Sequence, residues 1–548
     1  MLIYILFSQA HANDPILNAT RSEIDRSWPI LQLEEEKPHW LGIGINDVKE
    51  YKIQATHGAK ITPNFRHSRT ADIDIRVGTP ELDSTHPLRD NGWFNEDTHI
   101  EIQLPTETDE LAIQSALWLG VDMAYRSGVR RLIKIRTNNT VKVEIEDQSS
   151  DWSQAPTVQH VEELQEFEVD VNKWQSLLVE ASKIPLEYPT VLDSFVSFDA
   201  KQELRYFVDS DGSMVRQQFV RFRLSVFAQT VAEDGMELQA YDYIDAHGIE
   251  NLPSLEELNN MMHETAQKVT DLRQAPVIDP YVGPAILRGR AAAVFFHEIL
   301  GHRAEGHRQK DDDEGQTLTD KVGEQIFPSF ISVYDDPTIQ NWDGLDLNGH
   351  YRVDDEGVKA QKVTVVEDGV LNSFLMGRSP IEGFEESNGH GRRDLGFAPV
   401  SRQGNLLIES SQNQSYSALK KRLLKEIRRQ GKPFGLIFDD ISGGFTFTGR
   451  TTPNSYSVQP VTVWKVYPDG REELVRGVDM IGTPLLTFSR ISSSSNEMQV
   501  FNGSCGAESG WVPVSAIAPD LLVSEIEVQR RDKGTDRPPI LDAPEIEQ

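Results

Sequence analysis

The chain has 548 residues and a formal net charge of −32, from 54 Lys and Arg against 86 Asp and Glu. That charge repels phosphate backbones and argues against a nucleic-acid partner, and no stretch approaches the ~20 apolar residues that span a bilayer. With 38% hydrophobic residues, two or more domains with their own cores are expected, and a single cysteine excludes an intramolecular disulfide.

Leu2 to Phe7 is apolar and Ala10-His11-Ala12 has a small-x-small form, so residues 1–12 read as the remnant of a secretory leader, although no Lys or Arg precedes the run. This reading favours an exported, periplasmic location slightly over a cytoplasmic one. From 13 to 275 the pattern is mixed. Glu110 to Arg126 has helical periodicity, Ser127-Gly128 is expected to stop the helix, and Arg131 to Ile135 alternates like a strand. Lys173 to Ser182 reads as a helix. Leu204–Val208, Val215–Ala228 and Glu237–Tyr243 read as a three-strand meander joined at Asp211-Gly212 and Asp234-Gly235. Leu255 to Leu272 reads as a long helix, and Pro276, Pro280, Gly283 and Pro284 mark a boundary.

Beyond it lie the apolar run Ala291 to Phe296 and then His297-Glu298-Ile299-Leu300-Gly301-His302. Lys310 to Lys321 reads as a polar loop, its acidic residues 311–314 solvated rather than metal-binding, since no EF-hand spacing follows. Strands are expected at Ile331–Tyr334, Val363–Val366, Leu371–Leu375, Phe434–Phe438, Val461–Val466 and Leu521–Val528. The basic residues from Lys420 to Arg429 fall on the solvated face of an amphipathic helix. The tail 531–548 is rich in Pro, Asp and Glu and is expected to fray. The expected fold class is α+β: a mixed α/β N-terminal domain over 13–275, then a β-rich domain over 276–530, with the His-Glu helix near their junction.

Two imidazoles beside a carboxylate supply neutral nitrogen ligands and a base, the requirements of a hydrolytic zinc site. Their spacing is unusual. Histidines five residues apart point roughly 140° away from each other on a regular α-helix. Joint chelation therefore predicts a break or π-bulge between them, with Gly301 inside the interval. A regular helix would instead place Glu298, His302 and Glu305 on one polar face. Cys505 sits in the segment Asn502-Gly503-Ser504-Cys505-Gly506, which reads as a glycine-bracketed loop; the thiol is either packed or chemical.

Several blocks together resemble the TldD/PmbA family of metallopeptidases, in its metal-bearing TldD-like form. They are Tyr281 to Leu287, His297 to Glu305, Lys321 to Glu324, Val333 to Pro337, Asp354 to Gly357, Gly389 to Arg392, Pro399 with Arg402 and Asn405, Ile441 to Gly444, and the Cys505 segment. They spread over roughly residues 200–530. The resemblance implies that His297, His302 and Cys505 bind one Zn2+ per chain and that Glu298 is the general base of a metallopeptidase. It also implies a dimer, possibly with a metal-free PmbA/TldE-like partner, acting on unfolded or extended peptides.

His307 stands where the family commonly has an acidic residue and reads as a spectator, an alternative ligand or a substrate contact. The first hundred residues match the family poorly. Glu305, Asp335 and Asp336 are candidates for orienting the imidazoles. Gly443-Gly444 is either a bend or a place where a substrate backbone comes close. Two rival readings remain: a non-catalytic peptide-binding or partner subunit, and an exported protein whose zinc is structural. The second needs a fourth protein ligand, for which His307 is the local candidate.

Overall fold

The computed structural model describes residues 14–87, 99–138, 147–310, 314–450, 455–531 and 539. The leader-like residues 1–12 and Asp311 to Asp313 fall outside these, as does nearly all of the tail. The described residues fold as an α+β protein built on two large sheets, and no described helix is long and apolar enough to cross a membrane.

The first sheet has eight strands among the described residues. Its centre is β1 (Pro38–Thr56), paired with β2 (Ala59–Thr79) on one side and β3 (Asp193–Asp209) on the other. The meander continues through β4 (Met214–Val231) and β5 (Glu237–Ala246). Val196, Phe198 and Ala200, two residues apart, share the face that packs against helices α2 (Val171–Ala181) and α3 (Leu255–Gln274). A capping box at Ser254 and Glu257 starts α3.

Helix α1 (Glu110–Asn138) corrects one expectation: it does not stop at Gly128, and Arg131 to Ile135 is helical rather than extended. The buried stripe Leu117, Val121, Ala124, Leu132, Ile135 keeps helical spacing straight through the glycine. A Cβ at Gly128 would come 2.8 Å from Val77 Cγ2, so the residue permits close packing on β2 and does not end the helix.

The second sheet has eleven strands, all after residue 280. β6 (Tyr281–Leu287) is paired in parallel with β7 (Gly435–Phe447) and antiparallel with the long β10 (Gly510–Arg530). β8 (Ser455–Val466) pairs with β7 and, through Val478–Gly482, leads back to β10, so these strands close a ring. Among the described residues β9 (Ile491–Ala507) pairs with β10 alone.

The apolar run after β6 forms helix α4 (Arg290–Ile299), and every residue from Ala291 to Ile299 is buried. A helix that is apolar all round needs cover on every side, which β7, β9 and β10 supply. The amphipathic segment is α5 (Tyr416–Gln430), with Leu419, Leu423 and Ile427 buried and a left-handed Gly431 closing it. The strand expected over Leu371–Leu375 is shorter, only Val370–Leu371. After it the chain leaves the sheet to run beside the end of the His-Glu segment, where Leu375 N donates to Ala304 O at 2.8 Å.

Candidate metal centre

Helix α4 ends at Ile299. Leu300 N still bonds to Phe296 O at 3.0 Å, but Leu300 itself has φ −115° and the chain tightens into a 3₁₀ turn over Gly301–Ala304. The change of winding brings the rings of His297 and His302 to a centroid separation of 5.0 Å. A Cβ at Gly301 would lie 1.8 Å from Gln403 Oε1, so the glycine lets the Gln403 amide sit against the break.

Cys505 approaches from the other side of the sequence. It is not in a loop, as its glycines suggested: it lies within strand β9, opposite Val512 of β10, two pairs short of the hairpin end. The flanking glycines make room for aromatic rings. A Cβ at Gly503 would meet Phe501 Cζ at 2.5 Å, and one at Gly506 would meet Trp511 Cζ2 at 2.9 Å.

The Cys505 sulfur lies 3.2 Å from His297 Nε2 and 3.3 Å from His302 Nε2. One donor atom from each of the three lies within 4.8 Å of the others, and all three residues are buried. Two imidazoles and a thiolate around a tetrahedral zinc would sit about 3.5 Å apart, given usual Zn–N and Zn–S bonds, so the set fits that ion. Burial opposes charge on His297 and His302, but the Cys505 sulfur, joined at His302 by the Glu305 carboxylate, overcomes it and pushes both upward, His302 well above the usual range. For Cys505, burial opposes ionisation and the two imidazoles overcome it, holding the thiol well below its usual range. The cluster is thus polarised toward thiolate, the form a metal needs.

Glu298 stands beside this set. Burial, aided by the Cys505 charge and opposed by the imidazoles, raises its pKa. Its Oε2 is buried and has no hydrogen-bond partner among the described residues. The backbone of Gly444 in β7 is pressed against it: a Cβ there would lie 2.8 Å from Glu298 Cγ.

Of the three carboxylates considered for orienting the imidazoles, Glu305 is in place. Its Oε2 lies 3.2 Å from His302 Nδ1 and accepts from Arg308 Nε at 2.9 Å. Burial would raise the Glu305 carboxyl, but His302, Arg308 and Arg402 overcome it and hold it at about 2. Asp335 and Asp336 are elsewhere. Asp335 faces His390 and accepts from Gly404 N, while Asp336 accepts from Thr338. His307 does not join the donor set either; its Nε2 contacts Glu508 at the end of the β9–β10 hairpin. Among the described residues the set therefore has three protein donors and no fourth.

Two arginines that local pattern did not single out tie the site together. Arg402 donates to Cys505 O at 2.6 Å and to Ser509 Oγ at 2.8 Å. Arg303 donates to Glu298 O at 2.9 Å and to Thr446 Oγ1 at 2.7 Å, joining the end of α4 to β7. The donors and Glu298 open into a cleft of about 890 Å³ between β7 and β9.

A histidine pair on a broken helix, a thiol from a distant hairpin and an unpaired carboxylate facing a cleft make up the kind of centre found in metal-dependent hydrolases. Residues 281–530, a little under half of the chain, match the sequence profile of the PmbA/TldA metallopeptidase C-terminal domain. A metalloprotease of Methanothermobacter thermautotrophicus is 27% identical over 336 residues, 61% of this chain and 69% of that one. A metalloprotease TldD homolog of Haemophilus influenzae is 28% identical over 249 residues, 45% of this chain and 48% of that one. The crystal structure of TldE from Thermococcus kodakarensis superposes with a TM-score of 0.61 at 15% identity, covering 93% of this chain and 100% of the other. At that identity the likeness is one of fold. At 93% of the chain it nevertheless takes in most of the first hundred residues, whose sequence alone resembles the family poorly.

Proposed function

We propose that this chain is a zinc-dependent peptidase that hydrolyses unfolded or extended peptides, holding one zinc through His297, His302 and Cys505. The observation that carries the reading is the meeting of these three donors beside Glu298 in an open cleft. When bound, the zinc supplies Lewis acidity toward the scissile carbonyl and toward water. Glu298 takes the proton of the attacking water and returns it to the leaving amine, its Oε2 having no other hydrogen-bond partner among the described residues. Glu305 fixes the His302 ring through Nδ1, leaving Nε2 for the metal.

Substrate binding follows from the cleft walls. Among the described residues β7 is paired with β6 only over Leu436 to Phe438 and β9 pairs with β10 alone, so each strand has an edge without a partner strand, although the carbonyls of Phe447 and Cys505 accept from Arg303 and Arg402. An extended peptide can add to such an edge through its main chain, with Gly443 and Gly444 allowing close approach near Glu298. A structural zinc site is disfavoured by the three-donor set and by the pairing of His307 with Glu508. We further propose a dimer, possibly with a PmbA/TldE-like partner.

One polypeptide offered both folded and as a destabilised variant tests the reading. Only the unfolded form should be cut, because a folded substrate hides its backbone in its own hydrogen bonds. Glu298→Gln should keep zinc and melting temperature but lose roughly 10²-fold or more in turnover. Near-normal turnover by that variant, or equal cleavage of folded and unfolded substrate, would refute it.

A further inference from the structure

An imidazole that binds a metal keeps one nitrogen for the ion and, as a rule, donates its other N–H to an acceptor that fixes the tautomer and the ring orientation. For His302 that acceptor is Glu305, whose Oε2 lies 3.2 Å from Nδ1. His297 turns its Nε2 to the same donor set, 3.2 Å from the Cys505 sulfur. Its Nδ1 is buried and has no hydrogen-bond partner among the described residues.

A second unpaired group stands close by. Gln403 is 1% exposed, and both its Oε1 and its Nε2 are buried without a partner. An amide with neither end bonded is uncommon in an interior, because each end loses its hydration without compensation. The backbone around it is pinned. Arg402 donates to Cys505 O at 2.6 Å, Arg392 Nη1 donates to Gln403 O, and Gly404 N donates to Asp335 Oδ1 at 3.1 Å.

The position of the amide connects the two. Its Oε1 lies 1.8 Å from where a Gly301 Cβ would be, nearer than its Nε2 at 2.6 Å. Gly301 follows His297 by four residues, and the winding stays helical up to Leu300 N, which bonds to Phe296 O. Positions four apart on a helix are neighbours, about 5–6 Å between their Cβ atoms. A side chain at 301 would lie back over the preceding turn, the one that carries His297, and the Gln403 amide fills that space. A donor without an acceptor and an acceptor without a donor thus share one buried turn. A rotation of the amide or a single bridging water closes the distance between them.

Other groups do not fit the role. Arg303 and Arg402 have no acceptor atom to offer. Glu298 has a free oxygen, but adjacent residues on a helix do not face each other, and its side chain lies against Gly444 of β7.

Resting on the zinc reading above, we propose that Gln403 is the positioning residue of His297. Its amide oxygen accepts from Nδ1–H, directly or through one buried water, and leaves Nε2 as the ligand nitrogen. The two histidines are then held by unlike partners, a carboxylate on His302 and a neutral amide on His297. Gly301 serves this arrangement by lacking the Cβ that would displace the amide.

The test compares the full-length parent with Gln403→Met and Gln403→Glu. Zinc affinity is read by chelator competition, ligand geometry by the visible spectrum of the cobalt-substituted proteins, and fold by melting of the metal-free proteins. Methionine keeps the length of the side chain and removes the oxygen. Zinc affinity should therefore fall by about 10- to 100-fold and the cobalt bands should shift. The metal-free Met variant should melt no lower than the parent, since an apolar group replaces an unpaired buried amide. Glutamate supplies an acceptor again and should recover most of the lost affinity and the parent cobalt spectrum. Parent-like zinc binding by Gln403→Met would overturn the inference, as would a Glu variant no better than the Met one. A metal-free Met variant melting well below the parent would also overturn it, by making Gln403 a support of the fold. A parent protein that binds no zinc would overturn the zinc reading as well.

Discussion

Replacing Gly444 by alanine tests the site through its tightest contact. The added Cβ would lie 2.8 Å from Glu298 Cγ and 3.1 Å from both Cδ and Oε1. Carbon atoms in ordinary contact sit about 3.5–4.0 Å apart, so something must give by roughly 0.7–1 Å. The strand is the stiffer partner, since Gly444 is paired with Val458 in the middle of β7–β8. The Glu298 carboxylate, with Oε2 unbonded, is the softer one. A base displaced by about 1 Å loses on the order of 10²-fold in rate, equivalent to about 3 kcal/mol of barrier. Gly444→Ala should therefore cut kcat for an extended peptide by roughly 10- to 100-fold while leaving zinc content and melting temperature unchanged. The assay is peptide turnover beside metal analysis and thermal unfolding of the same preparation. Full activity would show that Glu298 does not work from its present position. A parallel loss of zinc would show that the strand, not the carboxylate, had moved.

The isolated protein should carry about one zinc per chain, and His297→Ala, His302→Ala or Cys505→Ser should each lower that content by metal analysis. Full occupancy and activity in Cys505→Ser would return the thiol to a packing role. Glu305→Gln should weaken zinc binding by about 10- to 100-fold in a chelator competition, because it loosens the partner of His302 Nδ1. Asp83 tests the electrostatics of the N-terminal sheet: burial would raise its carboxyl, but Arg76, His39 and Thr85 pull it from 3.8 down to about 2. A folded pKa depressed in this way contributes stability above the unfolded value and loses it as pH falls from about 4 to about 2, by roughly 2 kcal/mol. Asp83→Asn should accordingly be less stable than the parent near neutrality and converge with it toward pH 2 in urea titrations. A gap independent of pH would contradict that account.

Periodicity made much of the fold readable. Helices α2, α3 and α5 carry clean amphipathic stripes, and the meander after Leu204 alternates between glycine turns. Failures came where one residue type serves two purposes. Gly128 carries the signal of a helix stop but is spent on close approach to Val77. Gly503 and Gly506 carry the signal of a loop but accommodate Phe501 and Trp511 inside a strand pair. A glycine reports that a Cβ is unwelcome; whether the reason is backbone conformation or a neighbour is settled by the tertiary contact, which the local sequence does not contain.

At the metal centre, the five-residue histidine spacing forces the chain to break between the rings if both are to meet one ion, and the break falls at Leu300. The groups that hold the geometry left a fainter trace: Arg402 enters only through the family resemblance, and Arg303 only as part of the His297 to Glu305 block. Arg303 and Arg402 are 2% and 0% exposed, although hydropathy places arginine at the surface. Their burial is tolerated because each guanidinium is bonded to main-chain carbonyls, and in doing so each spans two elements. Arg303 joins α4 to β7, and Arg402 joins the Cys505 hairpin to the Glu305 side of the site. The separation between the histidines and the thiol is thus set by protein contacts independent of any ion.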